Sequence, residues 1–144
     1  MAHEDKGKYF KKHPEGTSVS EPLRQEILKQ AKDNNFSCKA AEKISQSLRF
    51  SLGEIGVAID MLNINIVQCQ LGLFGFDGKV KKVPAADTVL SELEDAIRKA
   101  LVNDRLPCIL AWAIAEQFQI KRLDVSAACE KLKIKIKPCQ LGAF

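Results

Sequence analysis

The side chains with reactive chemistry are few, and their spacing limits what they can do. Four of the five cysteines, Cys38, Cys69, Cys108 and Cys139, form two pairs exactly one repeat length of 70 residues apart, while the fifth, Cys129, stands opposite Ile59. Their number is odd and no Cys-x-x-Cys pair occurs, so neither a disulfide framework nor a zinc ribbon is indicated. A cysteine that trades places with isoleucine reads as a small buried hydrophobe. A thiol sensor, the third function class to weigh, needs exposed thiols of low pKa, and Cys69 and Cys139 would have to supply them. His3 and His13 are the only histidines and lie in a polar lead segment, where a surface role is expected. There is no phosphate-cradling glycine loop, no His-Glu-x-x-His and no nucleophile elbow. The residues therefore predict a binding protein and not an enzyme, with no metal and no cofactor.

The cations are more informative. From Gln117 to Phe144 the chain carries Lys121, Arg122, Lys131, Lys133, Lys135 and Lys137 against Asp124 and Glu130, a surplus equal to the net charge of +4 for all 144 residues. A basic end on a nearly neutral body is the footprint of a polyanion contact. The competing reading of the strand lysines is a solvated edge that discourages strand aggregation. No apolar run is long enough for a bilayer helix, and the lead segment lacks the apolar stretch of a secretory signal, so a cytoplasmic protein without a membrane partner is expected.

These residues sit on a duplicated frame. Shifting the chain by 70 residues aligns 11–74 with 81–144 without a gap, and Cys69-Gln70-Leu71-Gly72 followed by Phe74 recurs as Cys139-Gln140-Leu141-Gly142 followed by Phe144. Gapless identity of this kind predicts one fold built twice. We divide the chain into a polar segment 1–10, a first repeat 11–76 and a second repeat 77–144.

Periodicity within one copy predicts three helices and then strands. Leu23, Ile27 and Ala31 mark a helix over Ser20 to Asn34, with Pro22 tolerated in its first turn. Cys38, Ala41, Ile44, Ser45 and Leu48 mark a second, with Ser37 as N-cap and Pro107 at the matching site of copy two. Ser51 and Glu54 form a capping-box pattern for a third, running to about Asn63. Ile64-Asn65-Ile66 and Ile134-Lys135-Ile136 then alternate as strands do. Asp77-Gly78 between strand-like runs predicts a hairpin, and Lys8 to Lys12, which match Gly78 to Lys82, are expected to pair as a strand with Cys139 to Phe144.

The second and third helices resemble the helix-turn-helix superfamily. Its inner positions fall on Ile44, Ser45, Leu48, Phe50, Ile55 and Ala58, and again on Ile114, Ala115, Phe118, Ile120, Val125 and Ala128. The turn position that usually holds glycine is Arg49 or Gln119, which predicts a differently built turn. With the hairpins, the resemblance implies a mostly α fold with small β elements (α+β): two tandem winged helix-turn-helix-like repeats with short hairpin wings. It further implies a third helix lying in the DNA major groove and a wing on the phosphates. The groove-facing positions would be Ser51, Leu52, Gly53, Gly56, Val57 and Asp60 in copy one, a poor reading surface. In copy two they are Lys121, Arg122, Leu123, Ser126, Ala127 and Glu130.

The reading that results is a small sequence-specific DNA-binding protein, a dimeric transcriptional regulator. DNA would be held by Lys121, Arg122, Ser126, Lys131, Lys133, Lys135 and Lys137, with Lys81, Lys82 and the segment Lys6 to Lys12 adding charge. The alternative is a protein-interaction scaffold. Lys39, Glu42 and Lys43 of copy one become Ile109, Trp112 and Ala113, so a helix face has turned apolar and invites a protein partner or self-association. Gly53, Gly56 and Val57 are small enough to admit a partner helix.

Overall fold

The computed structural model describes residues 13, 17–76 and 83–144. Its chain is mostly helical with a few very short strands. The first repeat contains α1 (Glu21–Gln30), β1 (Asn35–Ser37), α2 (Cys38–Leu48), α3 (Leu52–Met61) and β2 (Asn65–Val67). The second contains α4 (Ser91–Lys99), β3 (Arg105–Leu106), α5 (Cys108–Phe118), α6 (Arg122–Leu132) and β4 (Lys135–Ile136). The elements recur in the same order at the same 70-residue offset, as duplication requires.

Local chemistry explains where each element stops. α1 buries Leu23 and Ile27, one helical turn apart, and ends four residues short of the expected Asn34. The cause is a tight turn in which Asp33 and Asn34 both adopt positive φ and Lys32 and Asn35 exchange two backbone hydrogen bonds of 3.0 and 2.8 Å. Asp and Asn tolerate the left-handed region better than other side chains, so they close such a turn at little cost. Asn103 and Asp104 do the same after α4. The Ser37 hydroxyl accepts the Ala40 N–H at 3.1 Å and starts α2. Ser51 and Glu54 complete their reciprocal capping box at the start of α3.

The turn between α2 and α3 is built as glycine would build it, without glycine. Arg49 has φ 61° and ψ 31°, and Gln119 has φ 55° and ψ 43°, both left-handed. The expectation of a different turn is therefore corrected: the geometry is kept and a side chain bears the strain. In copy one the Ser45 hydroxyl donates to the Phe50 carbonyl at 2.7 Å and fixes the turn further. Because a non-glycine residue in this region costs about 1 kcal/mol, Arg49→Gly and Gln119→Gly are each expected to raise stability, by about 0.5 to 1 kcal/mol in urea unfolding.

The strands pair in a way that periodicity does not reveal. β1 lies parallel to β2, with Asn35 opposite Asn65 and Phe36 opposite Ile66, and β3 lies parallel to β4, with Arg105 opposite Lys135 and Leu106 opposite Ile136. Each pair thus joins the residues just before the second helix to those just after the third, and the two helices form the crossover that a parallel pair needs. Phe36, Ile66, Leu106 and Ile136 point into the core and their neighbours point out. The strand expected at Ile64 to Ile66 is found at Asn65–Val67, with a parallel partner. The hairpin expected around Asp77-Gly78 falls largely on 77–82, and the strand expected at Lys8 to Lys12 falls on 1–12, both outside the described residues.

The chain forms two compact units whose borders cut across the repeat endings. The first holds the described residues through Cys69 together with Leu141–Phe144, and the second holds Gln70–Gln140. The core of the first unit is Ile27, Phe36, Ile44, Ile55 and Ile59, and it also takes in Leu141 and Ala143 from the far end of the chain. In the second unit Ile97, Leu106, Val125 and Cys129 are buried, and so is Leu71 from the ending of copy one. Full burial of each such aliphatic side chain contributes about 1.5 to 3 kcal/mol.

Candidate nucleic-acid interface

The third helix of each repeat is where a helix-turn-helix protein would read bases, so the surroundings of that helix decide what it can do. In the first unit α3 is shielded. Gly56 is buried, and a Cβ added there would overlap the Leu141 carbonyl oxygen and lie 2.7 Å from its carbon. The small residue does admit a close neighbour, but the neighbour is the backbone of Leu141 and not a partner helix. Asp60, expected to face a groove, is 3% exposed and accepts a hydrogen bond from His13 Nε2 at 2.8 Å. His13 is thereby half-buried and held, not a bare surface group. Gly53 stays exposed and Val57 is half-buried.

The same face of α6 is shielded in the second unit. Ser126, the counterpart of Gly56, is fully buried at 0%, and its hydroxyl has no hydrogen-bond partner among the described residues. A side chain so buried cannot touch DNA, which takes Ser126 out of the expected contact set. The Leu123 side chain packs so close to Gly72 that a Cβ there would come within 2.6 Å, and the Ala86 N–H donates to the Ala127 carbonyl at 3.0 Å.

Arg122 is committed as well. Its guanidinium lies 3.6 Å from the centre of the Trp112 ring and donates to Gln70 Oε1 at 2.7 Å. Trp112 is consequently half-buried beneath a cation. What remains of the apolar face of α5 is Ile109, 60% exposed, and Ala113, also exposed. A stacked guanidinium contributes about 0.5 to 2 kcal/mol. Arg122→Ala is expected to cost about 1 to 2 kcal/mol of stability, and to shift the emission of Trp112, the single tryptophan, toward longer wavelength as water reaches the ring.

The remaining cations are free to act. Lys121, Lys131, Lys133, Lys135 and Lys137 are all exposed, and none of them makes an ion pair with a described residue. Lys121 is the N-cap of α6, where only its backbone is used: its N–H donates to the Asp124 carboxylate at 3.1 Å. Lys133 is the left-handed C-cap of α6, Lys135 points outward from β4, and the Lys137 N–H donates to the Leu106 carbonyl at 2.8 Å, leaving its ammonium in solvent. Lys81 and Lys82 lie outside the described residues. Arg105, which no motif in the sequence marks, stands exposed opposite Lys135.

No protein-family model, curated protein or solved structure matches this chain.

The thiols are set for packing. Cys38, Cys69, Cys108 and Cys129 are buried, and Cys139 is half-buried. Burial in an apolar surround, helped by the neighbouring Glu130, pushes the Cys129 thiol up to about 12, so it stays protonated and a poor nucleophile at neutral pH. Among the described residues no three His, Cys, Asp or Glu side chains converge as metal ligands, and no helix is long and apolar enough to cross a membrane.

Proposed function

We propose that this chain is a small DNA-binding protein that grips the phosphate backbone with the cationic edge of its second unit. The observation that carries this reading is the run Lys131, Lys133, Lys135 and Lys137, exposed and without ion pairs among the described residues. Such cations release condensed counterions when they meet phosphates, which supplies affinity without sequence information. In this proposal the two winged helix-turn-helix-like repeats serve as a scaffold. Base reading by the third helix is not part of it, because Ser126 is buried and Arg122 is engaged by Trp112 and Gln70. Any effect on transcription would come from occupancy of DNA and not from an operator sequence.

The test is binding to short duplexes of unrelated sequence at low salt. The proposal expects similar affinities on all of them and a steep loss with added salt. A second reading, a protein-interaction module, draws on the exposure of Ile109 and Ala113. It gains if no duplex is bound and if Ile109→Lys changes the sedimentation mass.

A further inference from the structure

The two repeats carry the same strand pair, and comparing them isolates one contact. In the first unit Asn35 and Asn65 are register partners across the parallel strands, and the Asn65 amide donates to the Asn35 side-chain oxygen at 3.2 Å. That pair is neutral and mutually satisfied. In the second unit the same two positions hold Arg105 and Lys135, in the same register and both exposed. Register partners on neighbouring strands sit about 4.8 Å apart with side chains on the same face. Two cations are thus placed side by side where the sister repeat has a hydrogen bond.

Like charges in this position are destabilising. Nothing described relieves them, because neither Arg105 nor Lys135 makes an ion pair among the described residues, although Asp104 is adjacent in sequence. Lys133, the C-cap of α6, and Lys137, just past β4, stand two residues to either side of Lys135 and are exposed as well. An oxyanion between the guanidinium and the ammonium would turn the repulsion into attraction. The planar fork of Arg105 fits two phosphate oxygens at once, and Lys135 adds a point charge.

We infer that Arg105 and Lys135 form a phosphate-binding site that centres the cationic edge on a nucleic-acid backbone. This rests on the DNA-binding reading and deepens it, since it assigns the ligand group, a phosphodiester oxyanion, and a central residue, Arg105. The first unit lacks the site because its matched pair is Asn35 and Asn65.

The decisive variant restores the sister pair, Arg105→Asn together with Lys135→Asn. Removing the repulsion is expected to raise its melting temperature by about 2 to 4 °C. Duplex affinity in 50 mM salt is expected to fall about tenfold, and the slope of log affinity against log salt to become shallower by about 0.9, the value for one lost phosphate contact. If wild type binds the duplex and the double variant binds it with equal affinity and slope, the site is refuted and the broader reading stands. If wild type binds no duplex, the broader reading fails, and inorganic pyrophosphate decides the site separately. A rise in melting temperature for wild type but not for the double variant supports the site, and no rise for either overturns it.

Discussion

Gly56→Ala is expected to cost about 3 kcal/mol in urea unfolding, while Gly53→Ala, three residues away on the same helix, is expected to gain about 0.5 to 1 kcal/mol. Helix propensity alone makes both changes favourable, because glycine is about 1 kcal/mol worse than alanine inside a helix. Position 53 obeys that rule: it is exposed, and the nearest atom to an added Cβ is the Ser51 hydroxyl at 3.8 Å. Position 56 cannot. A Cβ there meets the backbone of Leu141, whose side chain is itself buried with Ala143 in the core of the first unit. Backbone cannot rotate away as a side-chain tip can, so Leu141–Phe144 must lift and give up that burial, which takes the cost to the upper end of overpacking. Equal signs for the two substitutions would show that the ending of copy two does not seat on α3.

Lys133→Ala, Lys135→Ala and Lys137→Ala combined should have the largest effect on binding. Three lost phosphate contacts correspond to a change of about 2.7 in the slope of log affinity against log salt, and to a loss on the order of a hundredfold or more at low salt. The loss should be the same on every duplex, because in the proposed complex these side chains meet phosphates and carry no base code. Stability should not fall: all three are exposed and without ion pairs among the described residues, exposed lysines contribute little to folding, and loss of Lys135 also relieves its repulsion with Arg105. Arg122→Ala is the informative contrast. Arg122 is held by Trp112 and Gln70, so its removal should lower stability more than affinity.

Much of the architecture is legible in the residues because it follows from local rules. The capping box at Ser51 and Glu54, the N-cap at Ser37 and the buried stripe Cys38, Ala41 and Ile44 are all decided within one or two helical turns. The exchange of Cys129 for Ile59 marks a buried thiol correctly, since both side chains are almost fully buried. The missing parts depend on remote partners. β1 and β3 are three and two residues long, too short to show alternation, and only their parallel partners reveal them. Arg105 is illegible for the same reason, as a lone cation in what reads as a loop. Superfamily positions put Gly56, Asp60 and Ser126 on an outer face, but in the first unit Leu141 and His13 cover that face from outside α3. A shared Cys-Gln-Leu-Gly ending announces duplication without saying which unit each copy packs into.

One titration tests backbone binding by the lysine edge most directly. Wild-type protein is mixed with two duplexes of equal length and unrelated sequence, and affinity is measured by anisotropy between 50 and 200 mM salt, a range over which backbone binding weakens steeply. Two superimposed, steep lines are predicted. A flat line, or strong preference for one sequence that survives at high salt, would contradict backbone binding by the lysine edge.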